Sequence, residues 1–406
     1  MGYVAISIVL ISLLGFHLSY PATFYIFGRQ TEIGISTELF TTIPLAIIGI
    51  LGCKSFVKQE KVLSYIFLFF VIYSIAVGYV IHDTSLVLLK NPIALFLIMS
   101  GSYYLFKNHW DSLSKALPGG FIFVMLVFLI FLVYLYISGD YRYDLFGHEG
   151  SYLKRLRIGS VLPTEATLFL GIQFCYILYL YNTSYSRISK IIVYILFTWV
   201  LYSFFLFGAR AGFMGIVIVM LIYFRKHQFT RTYWLILFVP LIIAFFGLFE
   251  VIVNVTAITT KEYEEITLSG RYHIYSYLIE LIKDNPFIGI GAGEFYRSYM
   301  FSAPHNTLLG LGCETGLPTL LAYISFYVIF IFKILSYEDK IRQDSSLPPL
   351  LMNRTVNFFE MTLLVLAYVH FRGLFTDTFA LKEQYYLVGA VLGIKEYFKI
   401  ATVKGD

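Results

Sequence analysis

Long apolar stretches, separated by short polar ones, recur along the whole chain. Each is close to the roughly 20 residues that a helix needs to cross a hydrocarbon core of about 30 Å. The pattern predicts an all-α, polytopic membrane protein that forms a single domain over residues 1–406. Its twelve predicted spans are residues 3–27, 36–53, 62–81, 86–106, 120–138, 158–181, 191–207, 211–224, 232–250, 306–332, 355–376 and 383–399.

The composition supports this reading and excludes a soluble domain. Hydrophobic residues make up 58% of the 406 residues, charged residues only 14%, and the mean hydropathy is +0.76. The first span lacks a basic leading region and a small-residue cleavage site, so it is predicted to be a retained helix rather than a signal peptide. The net charge of +5 forms no basic stripe with interleaved aromatics, so the expected partner is membrane lipid and not nucleic acid.

The distribution of Lys and Arg predicts the orientation, because cytoplasmic loops of membrane proteins are enriched in both. One set of alternate segments is rich in bases and poor in acids: 54–61, 107–119, 182–190, 225–231, 333–354 and the C-terminal tail. Both termini are therefore expected on the cytoplasmic side of the membrane. The two largest outer segments, 139–157 and the main periplasmic loop 251–305, are the expected place of function.

The three cysteines do not suggest metal or redox chemistry. Cys53, Cys175 and Cys313 are odd in number, widely scattered, and lie in or beside apolar spans. We interpret them as small core residues. No metal ion and no cofactor are expected.

The main periplasmic loop contains a stretch with helical periodicity. Its apolar positions recur at Ile274, Tyr277, Leu278, Leu281 and Ile282, which predicts a short amphipathic helix at the outer interface. The glycine-rich segment 289–293 that follows is not a dinucleotide-binding motif, since no βαβ unit surrounds it. It predicts a tight turn that leads back toward His305, with backbone amides able to help bind an anion.

Three polar residues at the outer ends of apolar spans suggest chemistry on a lipid-linked phosphate. Arg210 lies between two spans, where an arginine is costly unless it is used, and Arg271 lies in the outer loop. His305 precedes a predicted helix and can accept a proton near pH 7, whereas arginine binds phosphate oxygens with a planar fork. Each also has an ordinary explanation: a lipid-phosphate contact for Arg210, a surface or capping charge for Arg271, an interfacial histidine for His305.

Further polar residues are candidates for substrate binding. Glu314 follows in the same predicted helix as His305, and it can contact a sugar or pair with a nearby base. Arg155 and Arg157 lie on an outer loop against the positive-inside trend, although a solvated basic loop explains them equally. Arg372 and Asp377, near the outer end of the eleventh span, can pair with each other or complete the cavity.

The order of several motifs resembles the O-antigen ligase/polymerase superfamily, which contains the O-antigen ligases, the O-antigen polymerases and related capsule polymerases. The resemblance covers roughly residues 155–325 and is carried by these segments: Gly208-Ala209-Arg210, Arg271, Asn285-Pro286-Phe287-Ile288-Gly289-Ile290-Gly291, His305-Asn306 and Gly316. It implies twelve spans, a GT-C-type glycosyltransferase fold, and catalytic roles for Arg210, Arg271 and His305.

The ligase pattern within that superfamily is met by His305, Asn306, Gly316 and Thr319, which makes Asn306 a candidate substrate-binding residue. The stretch between Arg271 and His305 is shorter than in many ligases. We expect a polymerase that transfers a growing glycan from undecaprenyl diphosphate to a new lipid-linked repeat unit, with inversion and without metal. A ligase that uses lipid A-core as acceptor is the alternative.

A transporter or flippase of polyprenyl-linked sugars is the alternative from another class. It predicts charges spread through several spans and two pseudo-symmetric halves, whereas the charges here concentrate on the outer side and no internal repeat is evident. This distribution favours the enzyme. For a polymerase, the resemblance also implies a chain-length-determining co-polymerase as partner.

Overall fold

A computed structural model describes most of the chain, and nearly all of the described residues are helical. The described residues are 2–18, 37–81, 86–137, 141–145, 154–158, 163–184, 186–207, 210–227, 263–291, 294–295, 306–344, 347–374 and 381–403. The elements among them are α1 (Gly2–Leu18), α2 (Thr37–Gln59), α3 (Lys61–Ile75), α4 (Leu86–Ile137), β1 (Tyr141–Leu145), β2 (Lys154–Ile158), α5 (Pro163–Thr183), α6 (Arg187–Phe207), α7 (Arg210–His227), α8 (Tyr263–Asp284), α9 (Thr307–Thr315), α10 (Leu317–Gln343), α11 (Pro349–Gly373) and α12 (Lys382–Val403). A π-helical turn, Ala76–Ile81, continues α3.

The helices confirm a multi-pass membrane protein. Among the described residues, five segments are long and apolar enough to cross a membrane: Lys61–Gly78, Pro92–Tyr134, Arg187–Phe204, Leu317–Gln343 and Pro349–Gly373. The predicted total of twelve spans stays a prediction, and the span 232–250 lies outside the described residues.

Two predicted boundaries are corrected. The spans 86–106 and 120–138 are arms of α4, which bends at His109 (φ −134°, ψ 20°), so the predicted inner loop 107–119 is largely helical. The span 306–332 is divided at Gly316 into α9 and α10. Both divisions fall within apolar sequence, where hydropathy alone gives no signal.

The predicted inner segments meet at one end of the bundle through buried carboxylates. The Glu60 side chain, fully buried between α2 and α3, accepts hydrogen bonds from Lys333 Nζ of α10 and Lys395 Nζ of α12, both at 2.6 Å. The Glu338 carboxylate lies 2.6 Å from Lys226 Nζ at the end of α7. These contacts join segments that the charge pattern assigns to a single side of the membrane.

Aromatic residues form much of the bundle core. The Phe67 ring of α3 lies 5.3 Å from the Phe326 ring of α10 and 5.5 Å from the Tyr385 ring of α12, measured between centroids. Seven of the largest fully buried side chains are Trp110, Tyr103, Tyr176, Tyr179, Tyr368, Tyr385 and Tyr386. These aromatic side chains therefore pack between helices and do not face lipid.

The outer segment 139–157 adds a short β-hairpin to the predicted all-α architecture. Strands β1 and β2 pair antiparallel, with Arg142 opposite Arg157 and Asp144 opposite Arg155. Residues 155 and 157 alternate with their neighbours and so share one face of β2.

Candidate active site

The candidate site is built around a helical hairpin formed by α9 and α10. Asn306 caps α9: its Oδ1 accepts hydrogen bonds from the amides of Leu308 and Leu309, both at 3.0 Å. Such a cap satisfies two of the four amides that a helix start leaves unpaired. Residue 305 therefore directly precedes a fixed helix start, as the sequence predicted, although His305 itself lies outside the described residues.

Gly316 makes the turn of the hairpin. Its φ of 85° and ψ of 164° belong to a backbone region that is essentially restricted to glycine. After the turn, α10 runs back along α9, so that Gly312 faces the Leu320 side chain. Thr319 is fully buried and its Oγ1 donates to the Thr315 carbonyl at 2.9 Å, which stabilises the junction.

The segment 285–291 packs against the C-terminal end of α9. The amides of Ile290 and Gly291 donate to the carbonyls of Cys313 and Glu314 at 2.9 and 3.0 Å, and the Gly289 amide donates to Asn285. Gly289 has a φ of 60°, and a Cβ there would lie 2.5 Å from the Glu314 carbonyl carbon. The predicted tight turn is confirmed, but these amides are occupied by backbone carbonyls and are not an anion cradle.

Helix α8 contains the predicted amphipathic stretch, and its apolar face is covered by protein. The predicted apolar positions lie in a small core with Phe295, Cys313 and Leu309, of which Leu278 is fully buried. The helix therefore packs on α9 instead of presenting that face to lipid. Arg271 lies in the interior of α8 rather than at its start, because the helix begins at Tyr263.

The C-terminal end of α11, which is predicted to be its outer end, joins α8 to the start of α9. The Leu374 carbonyl accepts a hydrogen bond from Tyr275 Oη of α8 at 3.2 Å and another from Asn306 Nδ2 at 3.3 Å. Residue 271 is one helical turn before Tyr275 and so lies on the same face of α8. The Leu374 carbonyl therefore connects the end of α11 to the start of α9 and to the face of α8 that carries residue 271. Leu374 itself lies two residues after Arg372, which is buried.

Helix α7 brings Arg210 to the same outer end. Helices α7 and α11 are antiparallel: His227 Nε2 lies 2.5 Å from Glu360 Oε1 at the inner end, and Gly215 faces the ring of Tyr368 nearer the outer end. Continued outward, this register places the backbone of residue 210 level with Gly373, beside Arg372. The spacing follows from a rise of about 1.5 Å per residue.

The structure therefore brings four of the predicted site positions into one region: 210, 271, 306 and 372. Glu314 is half-buried at the other end of α9, about 12 Å along the helix axis from Asn306. Arg155 and Arg157 lie on β2, and Asp377 lies outside the described residues. In the described part of the chain, no three His, Cys, Asp or Glu side chains are arranged to hold a metal ion.

One histidine near this region was missed by the sequence analysis. His370 of α11 lines a groove of about 230 Å³ between α9, α10 and α11, together with Thr307, Tyr323 and Gly373. Its Nδ1 lies 3.4 Å from Tyr323 Oη, and its ring packs edge-on against Tyr327 at 4.3 Å between centroids. The sequence did contain a signal for it, because a histidine within an apolar span is a candidate functional residue.

Comparison with known proteins supports the same part of the chain. A family model described as O-antigen ligase matches residues 192–324. This range begins within α6 and ends in the outer part of α10, and it includes Arg210, Arg271, His305, Asn306 and Gly316. The predicted resemblance to the O-antigen ligase/polymerase superfamily is confirmed over these residues. None of the curated proteins matches the chain.

Proposed function

We propose that this protein, whose residues 192–324 match the O-antigen ligase family model, is a surface-polysaccharide polymerase of the bacterial inner membrane. It transfers a growing glycan from undecaprenyl diphosphate to the non-reducing end of a new lipid-linked repeat unit. The reaction takes place on the periplasmic face of a GT-C-type fold with both termini in the cytoplasm. A chain-length-determining co-polymerase is its proposed partner.

The observation that supports this proposal most directly is the junction at the Leu374 carbonyl. Asn306 and Tyr275 both donate to it, so the helix start after residue 305 and the α8 face with residue 271 approach the end of α11. Arg210 is brought to the same level by the register of α7 and α11. Positions 210 and 271 close to the start of α9 suit a lipid-diphosphate donor, because arginine binds phosphate oxygens with a planar fork.

The proposed reaction is a single displacement at the anomeric carbon of the donor sugar. The acceptor hydroxyl oxygen attacks from the face opposite the diphosphate, the bond from the anomeric carbon to the phosphate oxygen breaks, and the configuration inverts. His305 takes the hydroxyl proton as general base. The positive end of α9 helps to keep its imidazole neutral before the reaction.

Arg210 and Arg271 stabilise the leaving group in this proposal. Charge grows on the bridging phosphate oxygen as the glycosidic bond breaks, and guanidinium groups form strong, bidentate hydrogen bonds to phosphate oxygens. Two such groups perform the charge neutralisation that a divalent cation provides in other enzymes. The proposed reaction is therefore metal-independent.

The second candidate is an O-antigen ligase, and it is favoured by the description of the family model itself. A ligase uses the same donor, the same leaving group and the same base, but its acceptor is lipid A-core. The two functions differ only in the acceptor side of the site. The short stretch between Arg271 and His305 is our reason for preferring the polymerase.

The test supplies the full-length protein with only a lipid-diphosphate-linked repeat unit, first without lipid A-core and with a chelator present. A ladder of products on a gel, lost in His305→Ala and Arg271→Ala, is the expected result. Lys283→Ala, which removes an exposed cation from the same outer helix, is the control and should leave the ladder intact.

Three other results would change the proposal. Transfer only after lipid A-core is added would identify the ligase. A ladder that persists in His305→Ala would remove that residue from the role of general base, and a ladder abolished by the chelator would contradict a metal-independent reaction.

A further inference from the structure

The groove between α9, α10 and α11 changes from polar to apolar along its length. Its outer end, beside the cap of α9, is lined by polar side chains: Thr307, Tyr323 and His370. Its inner part is lined by apolar ones: Ile324, Val328 and Ile331. From Tyr323 to Ile331 the groove follows α10 inward over about 12 Å.

The apolar part of the groove is open at the side of the helix bundle. Ile324 is 39% exposed and Val328 is 45% exposed, and both lie in a helix that is apolar enough to span a membrane. This part of the groove is therefore accessible from the lipid phase. An amphiphile can enter it sideways, with its polar end kept near Asn306 and its chain directed inward.

His370 gives the outer end hydrogen-bonding capacity within apolar surroundings. Its Nδ1 faces Tyr323 Oη at 3.4 Å, and its Nε2 is buried without a hydrogen-bond partner among the described residues. An unsatisfied buried nitrogen is destabilising, so packing against Tyr327 alone does not explain a histidine here. Phenylalanine would provide the same packing without that cost.

We propose that this groove binds the first isoprenoid units of the polyprenyl diphosphate donor, with His370 and Tyr323 as positioning residues for its lipid-proximal phosphate. The inference rests on the proposed function and adds the place of the lipid to it. The occupant follows from continuity: the groove begins at the residue after Asn306, where the base and the arginines are proposed to act. Its polar-to-apolar order matches a diphosphate joined to an isoprenoid chain.

The experiment measures binding rather than transfer, so it does not depend on the identity of the sugars. The full chain in phospholipid nanodiscs is titrated with undecaprenyl diphosphate. In a second experiment, a polyprenyl diphosphate with a photoreactive group in its second isoprene unit is crosslinked to the protein. We expect adducts on α10 and α11 along the groove. His370→Phe replaces the imidazole with an aromatic ring that has no nitrogens. It should weaken binding by about tenfold, the loss expected for one hydrogen bond to a charged group.

A matched pair of variants on α10 tests the apolar part. Val328 lines the groove and is 45% exposed, whereas Leu335 is 43% exposed and does not line it. Val328→Trp should fill the groove and weaken binding at least as much as His370→Phe, and Leu335→Trp should bind as the wild type does. Equal melting temperatures of the two tryptophan variants would show that misfolding is not the cause.

The outcomes separate this inference from the proposed function. Adducts on another surface, or unchanged binding in His370→Phe and Val328→Trp, would overturn the groove assignment and leave the polymerase proposal standing. If phosphatidic acid competes as well as undecaprenyl diphosphate for the wild-type protein, there is no specific donor site, and the proposed function fails together with the groove.

Discussion

Replacing Gly316 with alanine tests whether the hairpin turn holds the candidate site together. Gly316 has a φ of 85° and a ψ of 164°, and a Cβ on it would overlap the Phe287 carbonyl oxygen. The neighbouring Leu317 amide donates to the Pro286 carbonyl at 2.7 Å. The added methyl group must therefore move the 285–291 segment away from α9 and weaken this hydrogen bond.

The expected cost has two parts. Alanine in a glycine-only backbone region costs about 1–3 kcal/mol, and losing the Leu317 hydrogen bond adds about 0.5–1.5 kcal/mol. Together these give roughly 2–4 kcal/mol, which for a chain of this size lowers the melting temperature by roughly 2–5 °C. Glycosyl transfer should fall more steeply, because Asn306 lies at the other end of the displaced helix.

A thiol-reactive fluorescent dye provides the assay, because the chain has buried cysteines at useful places. Cys313 lies in α9, three residues before the turn, and Cys175 lies in the bundle core. In Gly316→Ala we expect Cys313 to be labelled at a lower temperature than Cys175, since α9 loosens first. Mass spectrometry after partial heating distinguishes the two sites.

Gly119→Ala is the control, because it makes the same chemical change at an open position. Gly119 lies within α4, and no atom is within 4 Å of a Cβ placed there. Alanine should raise helix stability at that site by about 0.5–1 kcal/mol. If Gly316→Ala melts and transfers as the wild type does, the turn is not required and the hairpin account of the site is wrong.

Three further predictions test other parts of the structure. Glu60→Gln should destabilise the protein by about 3 kcal/mol, because it removes the buried carboxylate that binds Lys333 and Lys395; thermal unfolding measures the loss. Asn306→Asp should keep the cap but lose the hydrogen bond to the Leu374 carbonyl, whereas Asn306→Ala should lose both, so the alanine variant should be less stable than the aspartate variant by about 1 kcal/mol; equal free energies of unfolding for the two variants would contradict the capping role. A membrane-impermeant maleimide applied to intact spheroplasts should label Lys283→Cys but not Lys115→Cys, and the reverse pattern would invert the proposed topology.

Hydropathy could predict the membrane class because span length is a property of local sequence. It could not predict the division of the span 306–332, since Gly316 follows an apolar stretch and the turn depends on contact with the Phe287 backbone. The same limit applies to His109, where α4 bends inside an otherwise helical segment. Breaks of this kind are determined by tertiary contacts. In the sequence, a single glycine marks the break at Gly316, and no comparable residue marks the bend at His109.

The candidate site was predictable to the extent that its residues follow a sequence pattern. Asn306 was found as part of a motif, but the pattern assigned it to substrate, and the structure shows that its side chain caps α9 and binds the Leu374 carbonyl. His370 was missed because it belongs to no such motif, and only the assembly of α9, α10 and α11 places it beside Thr307. Its distance in sequence from the motif residues hid the connection.

The motif itself can now be divided by physical role. Asn306 begins α9, Gly316 ends it, and Thr319 stabilises the start of the returning helix, so these three positions specify a short capped hairpin. His305, the fourth position, lies outside the described residues, and its role as general base is a proposal. In the proposed mechanism, this pattern specifies where the base is held at the start of α9, and it carries no information on the acceptor that the base deprotonates. Polymerase and ligase can therefore share the motif in full, and the acceptor must be decided by residues outside it, such as those of α8 or of the β1–β2 hairpin.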